Sequence, residues 1–200
     1  MSTALSIIRE EHRSLSAVTQ SLRLLAREAR AGGGEPDYEL FTLILDYIEG
    51  FSDRFHHPKE DEYLFAAVRR RTSEANEALD VLERDHARGD ELLHDLRYLL
   101  SRCRVGVAAA LDAFATAVDE YVHFHWRHMR LEEDVVMPTA ERWLTPADWE
   151  PIDAAFQANE DPLFGAQPRE EFRRLFGLIL HRAPAPIGVG PRREAVDLRK

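Results

Sequence analysis

Two hundred residues make one large domain or two small ones, long enough to bury a core without disulfides. A composition of 44% hydrophobic and 31% charged residues excludes both a disordered tail and a membrane protein, and the net charge of -10 argues against nucleic-acid or anionic-membrane partners. The single cysteine, Cys103, excludes an internal disulfide. It reads as a helix-face residue, not a nucleophile. No basic region followed by an apolar run opens the chain, so no signal peptide is legible and the expected location is the cytoplasm. The most apolar stretch, residues 105–118, is broken by Asp112 and is too short to span a bilayer.

Helical periodicity dominates, and alternating strand patterns are absent. A first helix is predicted over residues 3–31, capped by Thr3, with Ile7, Ile8, Leu15, Val18, Leu22 and Leu25 forming its apolar stripe. Gly32, Gly33 and Gly34 end it. A second starts at Pro36-Asp37 and runs to residue 71, with Pro58 expected to kink or unwind it. A third covers residues 74–103, and a turn at Val105-Gly106 leads into a fourth that ends near residue 143. Long segments joined by short connections predict an up-down-up-down antiparallel four-helix bundle over residues 1–145. Residues 146–200 read as an extension: a helix capped at Thr145 and reaching residue 159, a loop over 162–168, and an amphipathic helix over 169–182. An extended tail around 183–190 follows. The last 36 residues are net +4, which reads as a solvated tail.

Nine histidines are the informative excess. In the second helix His56 and Glu60 are spaced i,i+4, and in the fourth His128 and Glu132 repeat that spacing. A second acid follows each glutamate, Asp61 and Glu133, and an apolar pair comes after it. Spacing i,i+4 sets imidazole and carboxylate side by side on one helix face. The first and third helices each offer one histidine behind an acid, Glu11-His12 and Asp85-His86. Counted from one end of the bundle, His12, Glu60, His86 and Glu132 lie about nine to twelve residues in. At ~1.5 Å per residue that is one layer, roughly 14–18 Å deep. Phe51, Phe55 and Phe124 flank these positions and predict that the layer faces inward, where charge is costly unless paired or metal-bound. Carboxylates and imidazoles without thiolate suit a pair of iron, manganese or similar ions.

The stretches HHPKEDEYLF and HMRLEEDVVMP, with the single histidines on helices one and three, resemble the hemerythrin-like (HHE cation-binding) family. The resemblance covers residues 1–145. It implies a non-haem di-iron centre whose ligands are His12, His56, Glu60, His86, His128 and Glu132, with Glu60 and Glu132 bridging two Fe ions and Mn or Zn as substitutes. A small diatomic ligand or peroxide is the implied partner. Binding or sensing of O2, NO or peroxide, turnover of peroxide or NO by an enzyme, and a metal-stapled structural bundle all stay open, with catalysis the less expected. Oxygen-carrying members use a His-x3-His on the third helix. Here Asp90 follows His86 at that spacing, which puts reversible oxygen carriage in doubt and favours oxidation of the iron. Asp90 is an added ligand, an acceptor orienting His86, or an exposed acid. His57 points about 100° from His56 on an α-helix and is expected at the surface. His125 is a surface residue, an added ligand or a donor beside the site. His94, His123 and His181 are expected in solvent, Tyr121 in the core and Glu49 in solvent.

Overall fold

The computed structural model describes residues 2–32, 35–158, 177–179 and 181. All regular structure among them is helical. Helix α1 (Thr3–Arg30) buries Leu5, Ile8, His12, Leu15, Val18, Leu22, Leu25 and Ala29, a stripe at three- and four-residue spacing. Its start corrects the expected cap. Thr3 is already helical and Ser2 holds the cap position. Asp153, far along the chain, accepts from the Ser2 hydroxyl at 2.6 Å and the Ala4 N–H at 2.8 Å. Gly32 ends the helix with φ +78°, a conformation only glycine adopts freely.

Helix α2 (Tyr38–Ile48) begins where the sequence places it, with Asp37 accepting from the Leu40 N–H at 3.0 Å. Pro58 has no N–H to give to the preceding turn, and the rod around it is wound more loosely instead of being broken. A π-helical segment, Glu49–His56, passes into one α turn, α3 (His57–Lys59), a second π segment, Glu60–Phe65, and then α4 (Ala66–Arg71). The last rod repeats this design. Helix α6 (Ala110–Leu131) runs into a π segment, Glu132–Val136, and then α7 (Met137–Trp143), with Pro138 in its first turn. Between these rods lies α5 (Asn76–Arg104). Its turn into α6 contains Gly106 at φ +70° and Ala109 at φ +61°. Finally, α8 (Pro146–Gln157) starts at Thr145, whose N–H and hydroxyl both donate to Asp148, at 2.8 and 2.6 Å.

The α1 rod packs on the α2 and α6 rods, and α5 packs on the same two, so four rods close into a bundle. Helix α8 lies against α1 and adds Ile152 and Phe156 to the core. No described helix is long and apolar enough to cross a membrane. The loop and tail expected beyond residue 158 lie outside the described residues, as does most of the helix expected at 169–182. Of that helix, 177–179 and 181 are helical, and Ile179 joins the larger core cluster.

Two apolar clusters form the interior. The larger one gathers Leu15 to Ala29, Leu40 to Phe51, Leu93 to Cys103 and Ala110 to Met129. The smaller one gathers Ala4 to Ile8, Leu64 to Val68, Leu79, Leu82, Val136 to Leu144 and the two α8 residues. On the first three rods the buried histidines and glutamates fall in the sequence interval between the two clusters; on the fourth Glu132 does, with His125 and His128 just before Met129.

Candidate metal centre

The π segments deliver His56, Glu60 and Glu132, and helices α1, α5 and α6 deliver His12, His86 and His128. A wider turn rotates the chain by less than the ~100° of an α-helix per residue, so successive side chains share more of one face. The second rod is wound this way on both sides of His56-His57, and both rings reach the interior, 1% and 5% exposed. This overturns the surface position expected for His57, which assumed ideal α-helical rotation.

All six expected ligands are gathered and buried. His12, His56, Glu60, His86, His128 and Glu132 are between 0 and 8% exposed. Glu60 and Glu132 lie between two sets of imidazoles. Glu60 places Oε1 3.4 Å from His56 Nε2 and 3.9 Å from His12 Nε2, while its Oε2 is 3.7 Å from His86 Nε2. Glu132 places Oε2 3.1 Å from His12 Nε2 and Oε1 3.2 Å from His128 Nε2. His86 and His128 meet Nε2 to Nε2 at 3.2 Å. Ligand atoms of His12, His56 and Glu60 fall within 4.8 Å of one another, as do those of Glu60, His86, His128 and Glu132. Glu60 belongs to both groups.

The outward nitrogens follow a cyclic rule. Glu11, beside His12 on the first rod, meets His56 Nδ1 of the second at 2.7 Å. Asp61, beside Glu60, meets His86 Nδ1 of the third at 3.0 Å. Asp85, beside His86, lies 3.7 Å from His128 Nδ1 of the fourth, beyond hydrogen-bond range. Glu133, beside Glu132, closes the circle on His12 Nδ1 at 2.9 Å. Three of the four acids thus hydrogen-bond the next rod's histidine, and the fourth, Asp85, stands near its counterpart, His128. A carboxylate on the second nitrogen of an imidazole fixes its tautomer and aims its first nitrogen, the usual support of a metal-binding histidine. The sequence showed these four acids as neighbours of the histidines and did not show which ring each would reach.

The electrostatics suit a cation. Both oxygens of Glu60, both of Glu132 and Nε2 of His12 are buried without a hydrogen-bond partner, a costly state for carboxylates that a bound cation relieves. Burial opposes charge on His12 and His128, but Glu132 and neighbouring acids outweigh it, holding His12 well above the usual imidazole value and His128 up at about 10. Burial pushes Glu60 up, with Glu132 adding to the effect, whereas His128 and His12 outweigh burial at Glu132 and hold it well below the usual range. Such a layer balances its charge with protons that a metal ion would displace.

The remaining expectations divide. Asp90 is exposed, and it is Asp61 that orients His86. His125 is 2% exposed, against Tyr121 at 4.4 Å, and burial with the neighbouring His128 lowers its pKa to about 3. His94, His123 and His181 are exposed. Tyr121 is fully buried in the larger core, and Glu49 pairs with Arg97 at the surface. Cys103 is buried.

Among known proteins, the family model described as the hemerythrin HHE cation-binding domain matches residues 3–140. No curated protein sequence matches the chain.

Proposed function

We propose, for a chain that belongs to the hemerythrin HHE cation-binding family, that its polar layer holds two iron ions and presents them to O2, NO or peroxide. One observation carries this reading: two buried carboxylates, neither with a hydrogen-bond donor, each stand between imidazoles from different rods. In this assignment His12 and His56 would hold one ion and His86 and His128 the other, with Glu60 and Glu132 available to both. Mn or Zn would fit the same donors. Iron, when bound, supplies electron transfer to or from a small oxidant. The chain's own residues do the rest. Glu11, Asp61 and Glu133 hold three rings in position, and the two apolar clusters keep bulk water from the layer on either side.

Access is built in. A cleft of about 280 Å³, lined by His12, Arg13, Ser16, Trp126, Met129, Arg130 and Glu133, reaches the layer from the surface beside His12. A cleft of that volume admits molecules as small as O2, NO or peroxide without selecting among them. A purely structural staple is the second reading, favoured by the layer's place between two apolar clusters: metal there would tie four rods together whatever its chemistry.

Metal analysis of aerobically purified protein, with optical spectra before and after reduction, separates the readings. Two ions per chain and a reduced iron form whose spectrum changes with O2, NO or peroxide support a reactive centre. One ion or none refutes the dimetal reading. Two ions whose spectrum is indifferent to all three reagents leave the staple.

A further inference from the structure

We propose that His57 is a fifth imidazole of the metal centre, joining His86 and His128 on one of its two ions. The inference rests on the dimetal reading above and adds a residue to it. A ring nitrogen of His57 and those of His86 and His128 lie within 4.8 Å of one another, close enough for one ion to touch all three. All three side chains are buried. The His57 ring stacks on His86 with centroids 4.2 Å apart and planes 15° apart, and it meets His128 edge-on at 5.5 Å. Because an ion lies in the plane of each imidazole that holds it, sharing one ion requires His57 or His86 to tilt out of this stack, a small movement for rings whose nitrogens already lie within 4.8 Å. Ser52, itself fully buried, places Oγ 3.0 Å from His57 Nε2, on the far side of the ring from the nitrogen that would meet the ion.

The backbone explains why two adjacent histidines can serve one centre. His56 closes one π segment and His57 opens the short α turn before the next. The ring of His56 turns to Glu11 and Glu60, and that of His57 turns to Ser52 and His86. Neighbouring residues thus face opposite halves of the layer. The centre is then unequal, with His12 and His56 on one ion and His57, His86 and His128 on the other.

Cobalt(II) titration of the metal-free full-length chain, followed by proton NMR of the loaded protein, tests this. Each cobalt-bound imidazole gives a strongly shifted, solvent-exchangeable N–H signal. Wild type should show five, and His57→Gln should show four and lose about tenfold in affinity for one ion while keeping the other. His57→Ala should regain that affinity when free imidazole is added. Loss of packing alone would lower affinity without changing the signal count, and imidazole would not restore it. Two bound ions with four signals that persist in His57→Gln would overturn the proposal and leave the dimetal reading intact. Failure of wild type to take up two cobalt ions would overturn both. Melting the metal-free variants beside wild type shows that the chains compared are folded.

Discussion

Glu11 offers the sharpest test of the orienting acids, because it is fully buried and its Oε2 sits 2.7 Å from His56 Nδ1. Glu11→Ala would leave the His56 nitrogen in the interior with no acceptor. Breaking a buried charged pair by removing one partner costs about 3–5 kcal/mol, and alanine's better helix propensity returns only a few tenths. For a chain of this size each kcal/mol moves the midpoint by about 2–4 °C, so the metal-free variant should melt roughly 6–20 °C lower. Metal binding should suffer separately: losing the orienting partner of a ligand costs about 10–100-fold in affinity, confined to the ion held by His12 and His56. Glu11→Gln keeps an acceptor in place and should recover most of both losses. Thermal melts of chelator-treated protein and cobalt titration of the three chains give the two numbers. A Glu11→Ala chain that melts and binds as wild type does, or a glutamine as damaging as alanine in both assays, would refute this role for Glu11.

Glu60→Ala and Glu132→Ala should each cost both ions, His12→Ala or His86→Ala should loosen one preferentially, and His94→Ala and His181→Ala should keep wild-type metal content, read by elemental analysis. Equal loss in all six would show unfolding in place of ligation. Gly89, in α5 one turn beyond His86, has room for a methyl group: an added Cβ would lie 3.6 Å from Phe124 Cε1, an ordinary contact. Gly89→Ala should therefore raise stability by about 0.5–1 kcal/mol, and a lowered midpoint would show a clash the geometry does not. At Asp119 burial favours the neutral acid, but hydrogen bonds from Arg23 and Arg27 outweigh it and hold the pKa below its usual value. Its contribution is present above the unfolded carboxylate value of about 3.9 and is lost as pH falls through the lower folded value, so Asp119→Asn should flatten the acid limb of the stability profile. An unchanged limb would count against the pairing.

Much of this molecule is legible in the chain alone. Apolar stripes at helical spacing, Asp37 and Thr145 at helix starts and glycines at turns are local signals, and they give the rods and most of their ends because backbone hydrogen bonds within a helix join near neighbours. The depth of the polar layer is legible for the same reason: rise per residue converts sequence position into height once the connections are known to be short. Tertiary structure decided what depends on rotation and on partners distant in sequence. His57 turns inward because the rod around Pro58 is wound as π turns, and one-dimensional spacing assumes a fixed angle per residue. The cap on α1 comes from Asp153, which no local pattern could supply. The same limit applies to Glu11, Asp61 and Glu133: each sits beside one site residue in sequence, yet it hydrogen-bonds a histidine of the next rod, a pairing that only the packing of the rods sets.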